Sequence, residues 1–237
     1  SNYTVPMPFS ILEKGIPICA FKEPVTFRIV TNPSSLYTTP PVNIADPVPA
    51  YLHVEYTYLG QKEVEYIRTT PQVHLVEQIQ LSQFFCPVGA KTVKCNLGFS
   101  NIVKELYFVV QNDSAVGYDF LASKNPNVEQ ISSLELLFNS TDRIATDVGT
   151  PLFLRVIQGL EFHTRVPNYY FYLYSFSLDP EARIPSGGVN LSRIQNQILI
   201  LNLNPSLDNR NIRVYAINYN FLEIKDGSAT ILFSNFH

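Results

Sequence analysis

Apolar and polar residues alternate along most of this chain, and small clusters of turn residues interrupt the alternation at short intervals. From 51 to 59, Leu52, Val54, Tyr56 and Tyr58 fall on one side while His53, Glu55 and Thr57 fall on the other. That is the period-2 pattern of a strand with one wet face. Val25, Phe27 and Ile29 alternate with Thr26 and Arg28 in the same way, and 3–11 is a further strand candidate, cut off by Lys14, Gly15 and Pro17. Downstream the pattern predicts strands over 74–85, 92–99 and 104–111, punctuated by Pro87, Val88 and Gly89 and then by Ser100 and Asn101. In the third of these, Leu106, Phe108 and Val110 oppose Glu105, Tyr107, Val109 and Gln111, so both faces are partly apolar and the strand belongs inside a sheet. Strands are also predicted over 134–138, 152–158 and 169–178. The strongest strand signals come late, over 189–204 and 212–224, behind a turn made by Pro185, Ser186, Gly187 and Gly188. There proline fixes φ and glycine tolerates positive φ, so the backbone reverses tightly. A short strand over 229–233 follows the turn at Asp226 and Gly227.

The rhythm changes in few places. Over 61–68, Val64 and Ile67 stand three apart with Lys62, Glu63 and Glu65 among them, and Pro71 follows, which predicts a short helix. The segment 32–49 holds prolines at 33, 40, 41, 47 and 49 and cannot lie in a ladder, so it is read as a surface loop. Loops are also expected over 112–130 and 139–151, and these three loops are the expected sites of contact with neighbouring molecules. A helix between two blocks of strands serves as a linker. The division that follows is 1–59, a linker over 60–72, and a larger domain over 73–237. Eight or nine short strands without a long helix make that domain all-β, an antiparallel sandwich of the jelly-roll kind.

Composition narrows the function. Apolar residues make up 46% and charged residues only 16%, with 14 Tyr and 16 Phe, which suits a packed β protein with wide contact surfaces. A net charge of −3 provides no clustered basic face for a nucleic acid, so no direct contact with a genome is expected. No apolar run approaches the roughly 18 residues of a membrane span, and no charged-then-apolar leader opens the sequence. Cys19, Cys86 and Cys95 form no C-x-x-C pair and are read as reduced thiols, with a disulfide or a metal site as the alternatives. Cys95 continues the row Val93, Cys95, Leu97, Phe99, which points to core.

Candidate chemistry is sparse. His53, His74, His163 and His237 stand apart in sequence, Asp179 and Glu181 flank Pro180 as turn residues do, and Gly187 and Gly188 precede a strand where a phosphate cradle needs a helix. No catalytic, cofactor-binding or metal-ligating residues are therefore assigned, and no cofactor is expected. N-x-S/T sequons occur at Asn2, Asn112, Asn139 and Asn190. Asn112 and Asn139, in or beside expected loops, are the candidates for glycosylation, while Asn190 lies in a predicted strand. The aromatic run from Tyr169 to Tyr174 could stack a sugar, but on a strand it more simply fills a core with one face and a contact surface with the other.

The residues Pro185, Ser186, Gly187, Asn190, Ser192, Arg193, Ile194 and Asn196, followed by Val214, Tyr215, Ala216, Asn218, Tyr219, Asn220 and Leu222, resemble the last part of the major capsid protein of large nucleocytoplasmic DNA viruses. That family includes the iridoviruses and phycodnaviruses. Collinear blocks extend the resemblance: Val5 to Phe9, Leu52 to Tyr56, His74 to Gln80, Asp142 and Arg143, His163 and Thr164, and Tyr174 to Leu178. Gln195 departs from it, standing where the family usually has an acidic residue. The resemblance implies a double jelly roll, with 73–237 as the second and 1–59 as the closing strands of a first whose other strands lie outside this chain. It implies a structural, non-enzymatic protein of the virion capsid, present in the host cytoplasm during assembly. Such a protein forms homotrimers that tile an icosahedral shell beside neighbouring capsomers and minor capsid proteins, with the inner viral membrane only an indirect partner. A double jelly-roll scaffold acting during membrane-associated assembly and a jelly-roll carbohydrate-binding module remain the alternative functions.

Overall fold

The computed structural model describes residues 15–30, 51–113, 129–166, 170–182 and 184–233. The chain forms two compact units. One comprises 1–76 and 220–233, the other 77–219 and 234–237.

The larger unit is a two-sheet sandwich. Its strands are β1 (Gln72–Cys86), β2 (Thr92–Leu97), β3 (Ile102–Asn112), β4 (Ile131–Phe138), β5 (Thr141–Ile144), β6 (Phe171–Ser175), β7 (Val189–Asn190), β8 (Gln197–Leu203) and β9 (Arg210–Lys225), with β1 and β9 continuing into the other unit. One sheet has the order β1-β9-β3-β6, with β7 paired to β3, and the other the order β2-β8-β4-β5. Apart from the β4-β5 hairpin and the short β7, successive strands alternate between the sheets. That is the path of a jelly roll, eight principal strands in two interlocked Greek keys.

Alternation explains the layer between the sheets. Leu106, Phe108 and Val110 of β3 and Ile212, Val214 and Ala216 of β9 face Cys95 and Leu97 of β2, Leu199, Leu201 and Leu203 of β8, and Leu134 and Leu136 of β4, all buried in one cluster. Each fully buried aliphatic or Phe side chain contributes about 1.5–3 kcal/mol. Cys86 and Cys95 are free thiols in this layer, and burial with the neighbouring Cys86 thiol pushes Cys95 up to about 12.

Where the chain turns from β2 to β3, side chains replace the lost ladder. Gln197 accepts from Phe99 N–H at 3.1 Å and donates to Phe99 O at 2.8 Å. Gln80 does the same for Ser100, accepting from its N–H at 3.0 Å and donating to its carbonyl at 2.8 Å, and donates also to Asn218 Oδ1. Asn101, at φ 64°, donates its N–H to Ser192 Oγ at 2.7 Å. At the other end of β3 and β9 the guanidinium of Arg210, 1% exposed, reaches the carbonyls of Asn204, Gln130 and Ala90 and so ties three connections together.

The smaller unit carries helix α1 (Gln61–Thr69), a 3-10 turn (Ile18–Ala20), and the hairpin of the β9 end with β10 (Ser228–Ile231). Glu63 accepts from Gly60 N–H at 2.7 Å at the start of α1, and Arg68 Nε donates to Cys19 O at 2.9 Å. Helix α1 lies where the Val64 and Ile67 spacing places it.

Several predicted strands differ. Residues 25–30 and 51–59 form no strand among the described residues, and every residue from 51 to 60 is exposed. Their alternation is intact, but a ladder needs a neighbour and no described strand supplies one. Residues 152–158 form a π turn (Leu152–Ile157) running into α2 (Gln158–Phe162), not a strand. The start signal was Thr150, whose hydroxyl accepts from Phe153 N–H, followed by Pro151 in helical conformation. The run 189–204 is broken by a 3-10 turn at Leu191–Arg193, because Asn190 Oδ1 accepts from Ser192 N–H and caps it. The expected loop 139–151 contains β5, joined to β4 by a two-residue turn at Asn139 and Ser140, both with positive φ. The strand expected over 3–11 and the loop over 31–50 lie outside the described residues, as does 114–128.

The β2-β3 turn yields a stability test. Replacing Gln197 by Leu strands buried backbone groups and lowers unfolding free energy by about 1–3 kcal/mol. Gln195→Leu, two residues away and exposed, changes it by less than about 0.5 kcal/mol. Urea unfolding of both variants checks the difference.

Candidate functional site

The outer face of the six-stranded sheet is where polar and apolar groups are distributed unusually. On β3 this face carries Glu105 and Tyr107, and a bulge between Val103 and Glu105 adds Lys104. Buried Lys104 donates from Nζ to Glu77 Oε1 of β1 at 2.6 Å and to Pro180 O at 2.7 Å. Buried Glu105 places Oε2 3.1 Å from His163 Nε2, at the C-terminal end of α2. Neither atom has an aligned hydrogen-bond partner, so the contact is chiefly an ionic attraction. His163 Nδ1 lies 3.3 Å from Glu181 Oε1, which also accepts from Thr164 N–H at 3.1 Å.

One imidazole is thus held between two carboxylates. The Glu105 carboxylate, with help from Glu181, raises its pKa above the ordinary 6.5 despite burial. The Thr164 amide, together with His163, lowers that of Glu181. Burial first, then the Glu105 carboxylate, holds the Tyr107 phenol far above its usual range.

The turn at 179–182 that supplies Glu181 is stapled by Ser186. Its Oγ lies 2.6 Å from Ser177 Oγ, accepts from Asp179 N–H at 2.8 Å and donates to Asp179 O at 2.8 Å. Asp179 Oδ1 accepts from Ala182 N–H at 3.0 Å. A Cβ on Gly188 would sit 2.8 Å from Ile102 Cγ2 and 3.0 Å from Val103 O, so only glycine lets this segment pass so near β3. Flanking the turn, Leu178 and Ile184 are 81% and 79% exposed.

Strand β1 continues the outer face with Ile79, Leu81 and Phe85, which are 68%, 44% and 58% exposed. Inward it presents Gln80, Phe84 and Cys86, while outward Ile79, Leu81 and Phe85 share an exposed row with Glu77 and Gln83. Among the described residues its one sheet neighbour is β9. A long edge strand with large apolar side chains in its exposed row is a template for contact with another surface.

The sequence-predicted residues fall as follows. Asn112 is buried at the end of β3, its amide donating to Asp208 Oδ2, whereas Asn139 is exposed at the tip of the β4-β5 hairpin, its Oδ1 accepting from Asn196 N–H. Asn190 is exposed and caps the 3-10 turn, and Asn2 lies outside the described residues. In the aromatic run, Tyr172 is fully buried and donates to Glu129 Oε2 at 2.8 Å, Tyr170 stacks on Arg155, and Tyr174 packs on Phe153 and Phe176. His53 is exposed and His74 half-buried, but His163 is not isolated. Its partners are 58 residues before it and 18 after, a juxtaposition that only the fold creates. Among the described residues, no group of three or more His, Cys, Asp or Glu converges in a geometry that could hold a metal.

The family described as the large eukaryotic DNA virus major capsid protein matches residues 63–230. The chain is 31% identical over 192 residues to "Probable capsid protein 4" of Acanthamoeba polyphaga mimivirus, covering 74% of this chain and 37% of that protein. It is 28% identical over 211 residues to the major capsid protein of Pyramimonas orientalis virus, covering 78% and 49%. The chain therefore spans less than half the length of either relative. Its fold is similar to that of PBCV-1 VP54, as fitted into a reconstruction of the virophage Sputnik, with a TM-score of 0.65, 22% identity, and 75% of this chain and 55% of that one covered. The Faustovirus major capsid protein gives a TM-score of 0.58 at 13% identity, covering 71% and 36%.

The Ser186 staple sets a local expectation. Ser186→Ala removes about 1 kcal/mol of local stability, so the Asp179 amide exchanges with deuterium about fivefold faster. Unchanged exchange at Asp179 contradicts the assigned role of the hydroxyl.

Proposed function

Since this chain belongs to the major capsid protein family of large eukaryotic DNA viruses, we propose that it is a building block of a viral shell, forming trimeric capsomers that tile an icosahedral particle. The reading is carried by the coincidence of the family match, 63–230, with the whole two-sheet jelly roll. Its place is the virion capsid, reached from the host cytoplasm, and its role is structural. Its first partner is a second copy of itself, with minor capsid proteins next and the inner membrane only indirectly.

Residues 73–237 act as the second jelly roll, 60–72 as the linker, and 1–59 as closing strands of a first. What supports the last assignment is the alternating yet exposed run 51–59, which lacks a strand partner among the described residues. If the sequons are used, Asn139 takes the glycan, because Asn112 is buried within its sheet.

The outer row of β1 is the surface we assign to subunit contact. An unpaired lysine in a desolvated apolar interface costs well over 1.4 kcal/mol, and each 1.4 kcal/mol weakens association about tenfold. Size-exclusion chromatography with light scattering on the full-length polypeptide should report a trimer. The double variant Leu81→Lys, Phe85→Lys should report a monomer with an unchanged far-ultraviolet dichroism spectrum. A wild-type protein that stays monomeric and binds a glycan overturns the reading, and a double variant that stays trimeric removes β1 from the contact.

A further inference from the structure

The contact between Glu105, His163 and Glu181 joins three elements that are distant in sequence: the bulged start of β3, the end of α2, and the turn at 179–182. The neutral ring carries one N–H and one lone pair, whereas the imidazolium carries two N–H donors. Both ring nitrogens here face a carboxylate oxygen, Nε2 towards Glu105 and Nδ1 towards Glu181. Only the protonated ring can attract both. When the proton leaves, one lone pair must face one carboxylate.

The two carboxylates differ in what they can do about this. The Glu105 side chain is 4% exposed and that of Glu181 is 41% exposed, so Glu181 can turn to water, giving up its bonds from the Thr164 N–H and hydroxyl as it does, and Glu105 cannot. We propose that His163 is a protonation latch: its imidazolium clamps the 179–182 turn to the outer face of the six-stranded sheet, and deprotonation releases the turn. A second tie, from Lys104 Nζ to Pro180 O, keeps the turn anchored when the first opens. The other ionisable groups at this spot are Tyr107 beside Glu105 on β3, Glu77 of β1 paired with Lys104, and Tyr219 of β9, whose ring centre lies 5.9 Å from Lys104 Nζ.

The direction of the pH response follows from linkage. His163 has a raised folded pKa, so its contribution is complete below its ordinary value of 6.5 and is lost as pH rises through the folded value. Glu181 has a lowered pKa, so its contribution is present above its ordinary 4.5 and is lost as pH falls through the depressed value. The latch is closed between these two limits. Because exposed Leu178 and Ile184 flank the turn, the display of that apolar pair becomes pH-dependent.

Two coupled measurements on the folded chain test this. Imidazole NMR should show His163 titrating above 6.5. Over the same pH range, hydrogen exchange of the Ala182 and Thr164 amides, corrected for its intrinsic pH dependence, should lose protection about tenfold for each pH unit by which the midpoint exceeds 6.5. Glu181→Gln, an exposed change, should lower the midpoint and flatten the exchange step while leaving global unfolding unchanged, and Glu105→Gln should lower the midpoint as well. A midpoint at or below 6.5 overturns the latch. So does protection that is flat across the titration, or an exchange step of wild-type size in Glu181→Gln.

Discussion

Everything in the sandwich depends on two sheets excluding water from one shared apolar layer, which obliges the chain to cross repeatedly between them. Each crossing removes backbone groups from a ladder. A buried N–H or C=O without a partner costs about 1–3 kcal/mol, more than a typical made hydrogen bond returns. The structure meets this with side chains that imitate backbone. Gln197 and Gln80 each offer an acceptor and a donor to the backbone of one residue at the β2-β3 turn, and Arg210 spreads its donors over three carbonyls at the far end of β3 and β9. The polar residues inside this β protein are therefore structural hinges of the path and belong to the same constraint as the leucines.

The outer face obeys a different rule. Where α2 ends against β3, the sheet presents Glu105 and Tyr107, and the charge there is balanced locally by His163, with Lys104 and Glu77 paired beside it. On β1 the outer row exposes Ile79, Leu81 and Phe85 alongside Glu77 and Gln83. The contrast between a saturated polar patch and an unsaturated apolar one within one sheet makes β1 the surface assigned to contact.

Much of this was legible in the sequence. Strands β1, β2, β3, β4, β6, β8, β9 and β10 and helix α1 follow from period-2 alternation and three-residue spacing, whereas Pro185 to Gly188, read as a tight turn, instead runs beside 177 with Gly187 bridged antiparallel to Ser177, and the reversal falls at 179–182. Alternation failed where a local polar group outbid it. Leu152, Leu154 and Val156 alternate with Phe153, Arg155 and Ile157 as a strand would, yet Thr150 and Pro151 start a helix. Asn190 likewise caps a turn inside a run that reads as continuous strand. Residues 51–59 show the reverse case, a strand pattern without a ladder, because pairing is a property of the neighbour as well as of the segment. The site was hidden for a related reason. Neither Lys104 as a bulge residue nor His163 between carboxylates can be seen until β3, α2 and the 179–182 turn are brought together.

The central claim is that this jelly roll meets its neighbours through an edge strand whose apolar side is left open. A near-atomic reconstruction of the assembled protein tests it most directly. The account predicts density from a neighbouring copy packed on Ile79, Leu81 and Phe85. Particles in which those three side chains face solvent would contradict it.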